Sequence, residues 1–262
     1  MAVASCAPGA EGDQVVVVSA SSAIKGGIEE PNDPSIVSLL SQGGGLCSGT
    51  LIAPNAVLTA RHCVSPVQGE NNGAIDCAAT RFAAPFAGGA LAVDTRAQVD
   101  LSGRGGARAE LVVPLSGRPG IPAFTDDDAL FCGNDLAVVL LREVVPPEVA
   151  TPREPRFEPL EPGAPYTAVG FGGEANNEAE TTAGIRRRRD DLQVQCIGAD
   201  CVEAVEFVDD GDVTADEWVG NGGVCQGDSG GPALDVEGRV IGGASRGTID
   251  CENTIYANVA PN

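Results

Sequence analysis

At 262 residues, 43 % of them hydrophobic, the chain is long enough for one large β domain or two small ones and too apolar to be disordered. Sixteen Lys and Arg against 37 Asp and Glu give a net charge of −21, a field that repels phosphate backbones and argues against nucleic-acid binding. No apolar run reaches the ~18–20 residues of a membrane-spanning helix, so no transmembrane segment is expected. Residues 1–23 are small, polar and low in complexity, and read as a prosegment. No basic stretch followed by an apolar run of ~7–15 residues precedes Cys6, so this is not an intact secretory signal. Val3-Ala4-Ser5-Cys6 faintly resembles the end of a bacterial lipoprotein signal, which would make Cys6 a lipid anchor; a prosegment thiol is the plainer reading.

From Ile24 the texture changes. The segments 35–40, 51–60, 91–99, 110–115 and 136–145 read as short strands punctuated by Gly, Pro and Asn. Segment 146–165 holds seven prolines, which excludes a helix or a central strand and makes it the connection between two halves. Strand-like stretches resume at 166–171, 191–195, 202–208, 232–236, 240–244 and 255–259. The basic run 186–189, followed by two aspartates, reads as a solvated hairpin rim. The acidic run 209–216 lacks calcium-loop spacing and reads as solvated surface. Nine cysteines point to an oxidising compartment. None stands in a CxxC pair or at zinc spacing with the single histidine, so neither metal nor cofactor is expected.

Three local signals carry chemistry. The first is Leu58-Thr59-Ala60-Arg61-His62-Cys63, preceded by Cys47-Ser48-Gly49-Thr50. The second is Asn134-Asp135-Leu136-Ala137-Val138-Val139. The third is Cys225-Gln226-Gly227-Asp228-Ser229-Gly230-Gly231-Pro232. In that order they resemble the chymotrypsin/trypsin family of serine endopeptidases, from Ile24 onward. The order His, Asp, Ser separates this family from subtilisins and α/β-hydrolases. The resemblance implies an all-β fold of two six-stranded antiparallel barrels, residues 24–150 and 151–262, with the active site in the cleft between them.

The chemistry is consistent with those residue types. A serine hydroxyl is a poor nucleophile until a base removes its proton. Imidazole titrates near neutrality, so it can take that proton and return it to a leaving amine. A carboxylate on the other ring nitrogen fixes the tautomer. Ser229, His62 and Asp135 would hold these roles, and the N–H groups of Gly227 and Ser229 would form the oxyanion hole. Ile24-Lys25-Gly26-Gly27 is similar to the family's mature start, so cleavage after Ala23 would free an amino group to pair with Asp228. Gly223 lies six before the nucleophile, where trypsin-like members carry aspartate at the pocket floor. With Val224 beside it, and Gly247 (in Ser245-Arg246-Gly247) and Thr254 as walls, the pocket resembles that of elastases. Arg246 stands where the family usually has an aromatic residue. The resemblance pairs Cys47 with Cys63 and Cys225 with Cys251. Cys77 with Cys132 and Cys196 with Cys201 complete the set. The resulting expectation is a secreted or cell-surface (extracellular or periplasmic) bacterial-type endopeptidase, a monomeric zymogen acting on protein or peptide substrates. A catalytically silent homologue serving as an extracellular binding module is the alternative.

Overall fold

The computed structural model describes residues 24–41, 44–70, 74–100, 106–115, 129–173, 183–209, 211–248 and 250–260. Residues 1–23, with Cys6 and the expected prosegment, lie outside them. In chain order the strands are β1 Ile28–Glu29, β2 Ile36–Ser41, β3 Leu46–Ala53, β4 Ala56–Thr59, β5 Val67–Gln68, β6 Arg81–Phe82, β7 Leu91–Asp94, β8 Ala107–Leu115 and β9 Leu136–Leu141. They continue with β10 Pro165–Gly170, β11 Arg187–Ile197, a single helical turn α1 Cys201–Ala204, β12 Glu217–Gly220, β13 Pro232–Leu234, β14 Val240–Gly247 and β15 Thr254–Asn258.

Two closed six-stranded antiparallel barrels result. The first runs β2-β3-β4-β9-β8-β7 and closes on itself. In the second, β11-β10-β13-β14-β15-β12 close through the pairing of β11 with β12, and β1 is added outside on β11. Closure leaves each six-strand ring without a free edge. Each barrel is filled by its own apolar set, the aliphatic Val37, Leu39, Leu51, Val57, Val139 and Leu141 in the first. The second is built on Tyr166, Leu192, Trp218, Ile241 and Tyr256, with Ile24 among them. A third set, including Ile36, Leu58, Leu136, Phe171, Leu234 and Val240, fills the junction between barrels. That junction holds the two halves in one relative position, which a site assembled across it needs.

The proline-dense segment carries no strand before its last residue, Pro165, opens β10, and its backbone stitches the barrels together. Arg153 N–H donates to Leu51 O at 2.8 Å, Arg156 N–H to Val240 O at 2.9 Å, and Val240 N–H to Glu154 O at 2.9 Å.

Three sequence readings are corrected, and one strand escapes the sequence. Segment 51–60 is not one strand: Pro54-Asn55 makes a turn that folds β3 onto β4, with Ala53 opposite Ala56. Segment 202–208 opens as α1, because the Cys196–Cys201 bridge closes a tight loop and Val205 N–H bonds back to Cys201 O at 3.0 Å. The basic run is not a solvated rim. Arg186 and Arg187 are fully buried, and the Arg186 guanidinium donates to the carbonyls of Ile36, Glu30 and Thr95 and lies 5.2 Å from the Phe171 ring centroid. β12 is hidden within the approach to the third motif: a four-residue strand beginning on a glutamate gives no periodicity, yet all four residues are buried.

Candidate active site

Strand register brings the first two motifs together. β4 pairs with β9 so that Thr59 lies opposite Ala137. Three residues past Thr59 and two before Ala137, the chain leaves the sheet at the same end, carrying His62 and Asp135. His62 sits in a 3₁₀ turn, Arg61–Cys63, that the Cys47–Cys63 disulfide ties to β3. Asp135 is fully buried, and burial of a carboxylate requires partners. It has three: His62 N–H at 2.9 Å on Oδ1, and His62 Nδ1 at 2.8 Å and Ser245 Oγ–H at 2.6 Å on Oδ2. With Nδ1 donating to the carboxylate, Nε2 is left as the basic nitrogen.

Burial opposes protonation of the imidazole, but the charge and hydrogen bond of Asp135 outweigh it. Arg246 opposes protonation further; the net result is a pKa above the ordinary 6.5. The ring keeps contact with solvent, its side chain being 21 % exposed. Its other face stacks on Phe131, centroids 5.8 Å apart.

The loop from Cys225 to Gly231 brings in Ser229, and contacts to both barrels hold it. Ser48 of β3 donates its N–H to Ser229 O at 2.8 Å and its hydroxyl to Gly227 O at 3.0 Å. Gly230 N–H donates to Ala244 O of β14 at 2.8 Å. Cys63 Sγ lies 3.5 Å from the Ser229 carbonyl oxygen, one residue from His62. Two glycines make this approach possible. Gly230 has φ +79°, and a Cβ there would come within 2.2 Å of Thr59 Oγ1 and 2.5 Å of Ala60 N. Gly227 has φ +99°, and its Cβ would fall 2.8 Å from Gly172 Cα. No L side chain suits either position.

Asp228 points inward. Fully buried, it accepts from Gly172 N–H at 2.6 Å and Cys225 N–H at 3.0 Å. Burial pushes its pKa up to about 7, although both N–H groups and the field of Arg187 favour the charged form. Ile24 lies in the second barrel's core, and Lys25 N–H bonds Gly223 O at 2.8 Å.

Beside Ser229 is a cavity of about 150 Å³ whose lining includes Val224, Gln226, Ser245, Arg246, Gly247 and Thr248. Gly223 and Thr254 are outside that lining. Gly223 faces Ile24 and Arg189, and Thr254 is buried between Gly220 and Gly247 in the sheet. A larger groove of about 720 Å³, walled by Ile75, Phe207, Val208 and Ile255, adjoins the cavity through Arg246, Gly247 and Thr248. Disulfides join Cys225 to Cys251, Cys77 to Cys132 and Cys196 to Cys201. Among the described residues, Cys47, His62 and Cys63 are the close grouping of potential metal-binding atoms. Both sulfurs are bonded to each other, so the donor set does not suit an ion.

Three participants escape sequence reasoning. Ser245 reads there as a pocket wall, and its bond to Asp135 emerges only when β14 is laid against the first barrel. Phe131 and Glu217 are ordinary core residues by their neighbours and carry no motif.

Residues 47–242 match the model of the trypsin-like peptidase domain, well over half of the sequence. The chain belongs to the trypsin-like peptidase family. Solved structures share its fold at low identity. The scabies mite inactivated protease paralogue S-D1 is 17 % identical, with 90 % of this chain and 92 % of that one covered and a TM-score of 0.66. Neuropsin, a serine protease expressed in the limbic system of mouse brain, is 18 % identical over 89 % and 93 %, TM-score 0.60. Human heparin binding protein is 19 % identical over 90 % and 91 %, TM-score 0.60. Four disulfides fit an extracellular member of this family. No helix among the described residues is long and apolar enough to cross a membrane.

Proposed function

We propose that the chain is a serine endopeptidase that forms an acyl-enzyme and cuts after small or medium apolar residues. In this reading Ser229 Oγ attacks the scissile carbonyl. His62 Nε2 takes the hydroxyl proton and returns it to the leaving amine. Asp135 orients the ring and stabilises the imidazolium. The N–H groups of Gly227 and Ser229 receive the developing oxyanion, each such donor being worth about 10²–10³ in rate. The observation that carries the proposal is the buried Asp135 carboxylate, bonded at once to His62 Nδ1 and to Ser245, which shares a cavity with Ser229.

The small cavity supports the specificity. Its one charged lining residue is Arg246, so a substrate Lys or Arg would be desolvated beside a cation rather than a carboxylate. The adjoining apolar groove has room for residues preceding the scissile bond. We assign residues 24–150 and 151–262 to the two halves, and maturation to cleavage of the Ala23–Ile24 bond, which frees the Ile24 amino group for Asp228. The enzyme would be a secreted or surface-held bacterial-type monomer working without cofactor on proteins or peptides.

A fluorophosphonate probe tests the chemistry: labelling of the processed chain should map to Ser229 and disappear in Ser229→Ala. A peptide panel tests the pocket: Ala and Val before the scissile bond should exceed Arg by about ten-fold or more, since one mismatched group costs ~1–3 kcal/mol. An unlabelled Ser229 after release of Ile24 would instead favour the silent binding module. One structural neighbour is an inactivated paralogue, which keeps that second reading in view.

A further inference from the structure

Arg246 and Glu217 form an ion pair almost wholly withdrawn from water. Glu217 is fully buried and the Arg246 side chain is 14 % exposed. The geometry is two-pronged: Nη1 to Oε1 at 2.6 Å and Nη2 to Oε2 at 3.1 Å. Thr214 adds its N–H at 2.9 Å and its hydroxyl at 3.1 Å to Oε2, and Arg246 Nη2 donates to Asp212 O at 2.5 Å. A buried pair of this kind contributes little net stability over an apolar replacement of similar volume. Its position offers another use.

The clamped guanidinium touches the candidate triad by two routes. Nη1 lies 3.3 Å from Ser245 Oγ, and that hydroxyl donates to Asp135 Oδ2 at 2.6 Å. On the other side, Arg246 Cζ stands 5.8 Å from the Phe131 ring centroid, and Phe131 stacks on His62. We propose that Arg246, locked by Glu217, is a positioning residue: through Ser245 and Phe131 it orients the Asp135–His62 pair and sets the proton affinity of the base. Drawing on Ser245 Oγ, the guanidinium makes that hydroxyl a stronger donor to Asp135. Its charge disfavours the imidazolium, and Glu217 behind it offsets part of that field. The charged groups around His62 are Asp135 at the start of β9, Arg61 on its own turn, and Arg246 on β14 backed by Glu217 on β12. This role rests on the endopeptidase reading only for its effect on turnover.

The test uses the full processed chain and two readouts. The protein has one histidine, so its imidazole NMR signal titrates without ambiguity and independently of activity. The second readout is the pH profile of kcat/KM on an apolar peptide. Arg246→Met removes the opposing cation and should raise the His62 midpoint by about 0.5–1 pH unit, while Glu217→Gln exposes that cation and should lower it by about as much. The double variant should return to within about 0.3 pH unit of the parent, and Arg246→Lys should do so as well. Unmoved midpoints, or single variants moving in the same direction, would overturn the proposal. If Arg246→Met does not fold by circular dichroism, the isosteric Glu217→Gln and Arg246→Lys decide it. A parent that never turns over peptide, yet shows the opposed NMR shifts, would defeat the endopeptidase reading and leave this coupling standing. Shifts absent in an active enzyme would do the reverse.

Discussion

Asp135 accepts three hydrogen bonds while having no contact with water, and two of the three come from His62. Such a carboxylate fixes the ring and its tautomer, so turnover should depend on the residues as a unit. Ser229→Ala and His62→Ala should each abolish most of kcat, and the double variant should be no slower than about the worse single one. Steady-state kinetics on the three variants checks this; multiplying losses would separate Ser229 from His62. The pH dependence follows from the same contacts. A general base must be neutral to accept a proton, and Asp135 raises the His62 pKa above 6.5 despite burial and Arg246. The acid limb of kcat/KM should therefore have its midpoint above 6.5, and a profile flat from pH 5 to 8 would remove His62 from the role. These three residues were legible because each sits in a motif whose neighbours fix a turn. Ser245 was legible as a pocket residue but not as a partner of Asp135, and Phe131 and Glu217 were not legible at all, because a hydroxyl, a ring and a carboxylate look the same in sequence whether they face a site or a core.

The same contrast holds for elements. Alternating apolar residues placed most strands within a few residues, since a closed barrel demands one buried face from each. The pattern failed where something other than alternation decides the conformation: the Pro54-Asn55 turn, the bridged loop at α1, and Arg186, whose charge is accommodated by three carbonyls rather than by water. The loop that carries Ser229 has little tolerance. At Gly227, φ is +99° and a Cβ would press against Gly172 Cα, a backbone atom that cannot swing aside. Gly227→Ala should therefore shift the proposed oxyanion donors, the N–H groups of Gly227 and Ser229, without emptying the core. The expected result is a fall in kcat of about 10²-fold or more with KM changed far less, as for loss of one oxyanion-hole donor. A KM effect alone would place Gly227 outside the reaction.

On the scale of the whole molecule, the first described residues, from Ile24, already belong to the second barrel. Ile24 is buried among its core residues, and β1 pairs with β11. Cleavage at Ala23–Ile24 would thus release an amino group close to where the chain is docked. If the cavity takes small side chains as proposed, Ala23 suits it, and a Ser229→Ala chain mixed with active parent should acquire Ile24 as its N-terminus, and alone should stay uncut. Asp228 supplies the thermodynamic side. In the uncleaved chain burial lifts its pKa from 3.8 to about 7. A raised folded-state pKa means that the folded form holds a proton the unfolded chain has released. Its stabilising contribution is complete below about pH 4 and is lost as pH rises toward 7, by ~1.4 kcal/mol for each pH unit crossed. Asp228→Asn cannot ionise, so in the uncleaved Ser229→Ala background it should gain on its parent by a few kcal/mol between pH 4 and 7.5. After processing the amino group of Ile24 can pair with the carboxylate, and the order should reverse at pH 7.5, Asp228→Asn becoming the less stable. Denaturant unfolding of both forms at the two pH values measures the four differences. Parallel changes in cut and uncut chains would mean that Asp228 does not receive the new N-terminus.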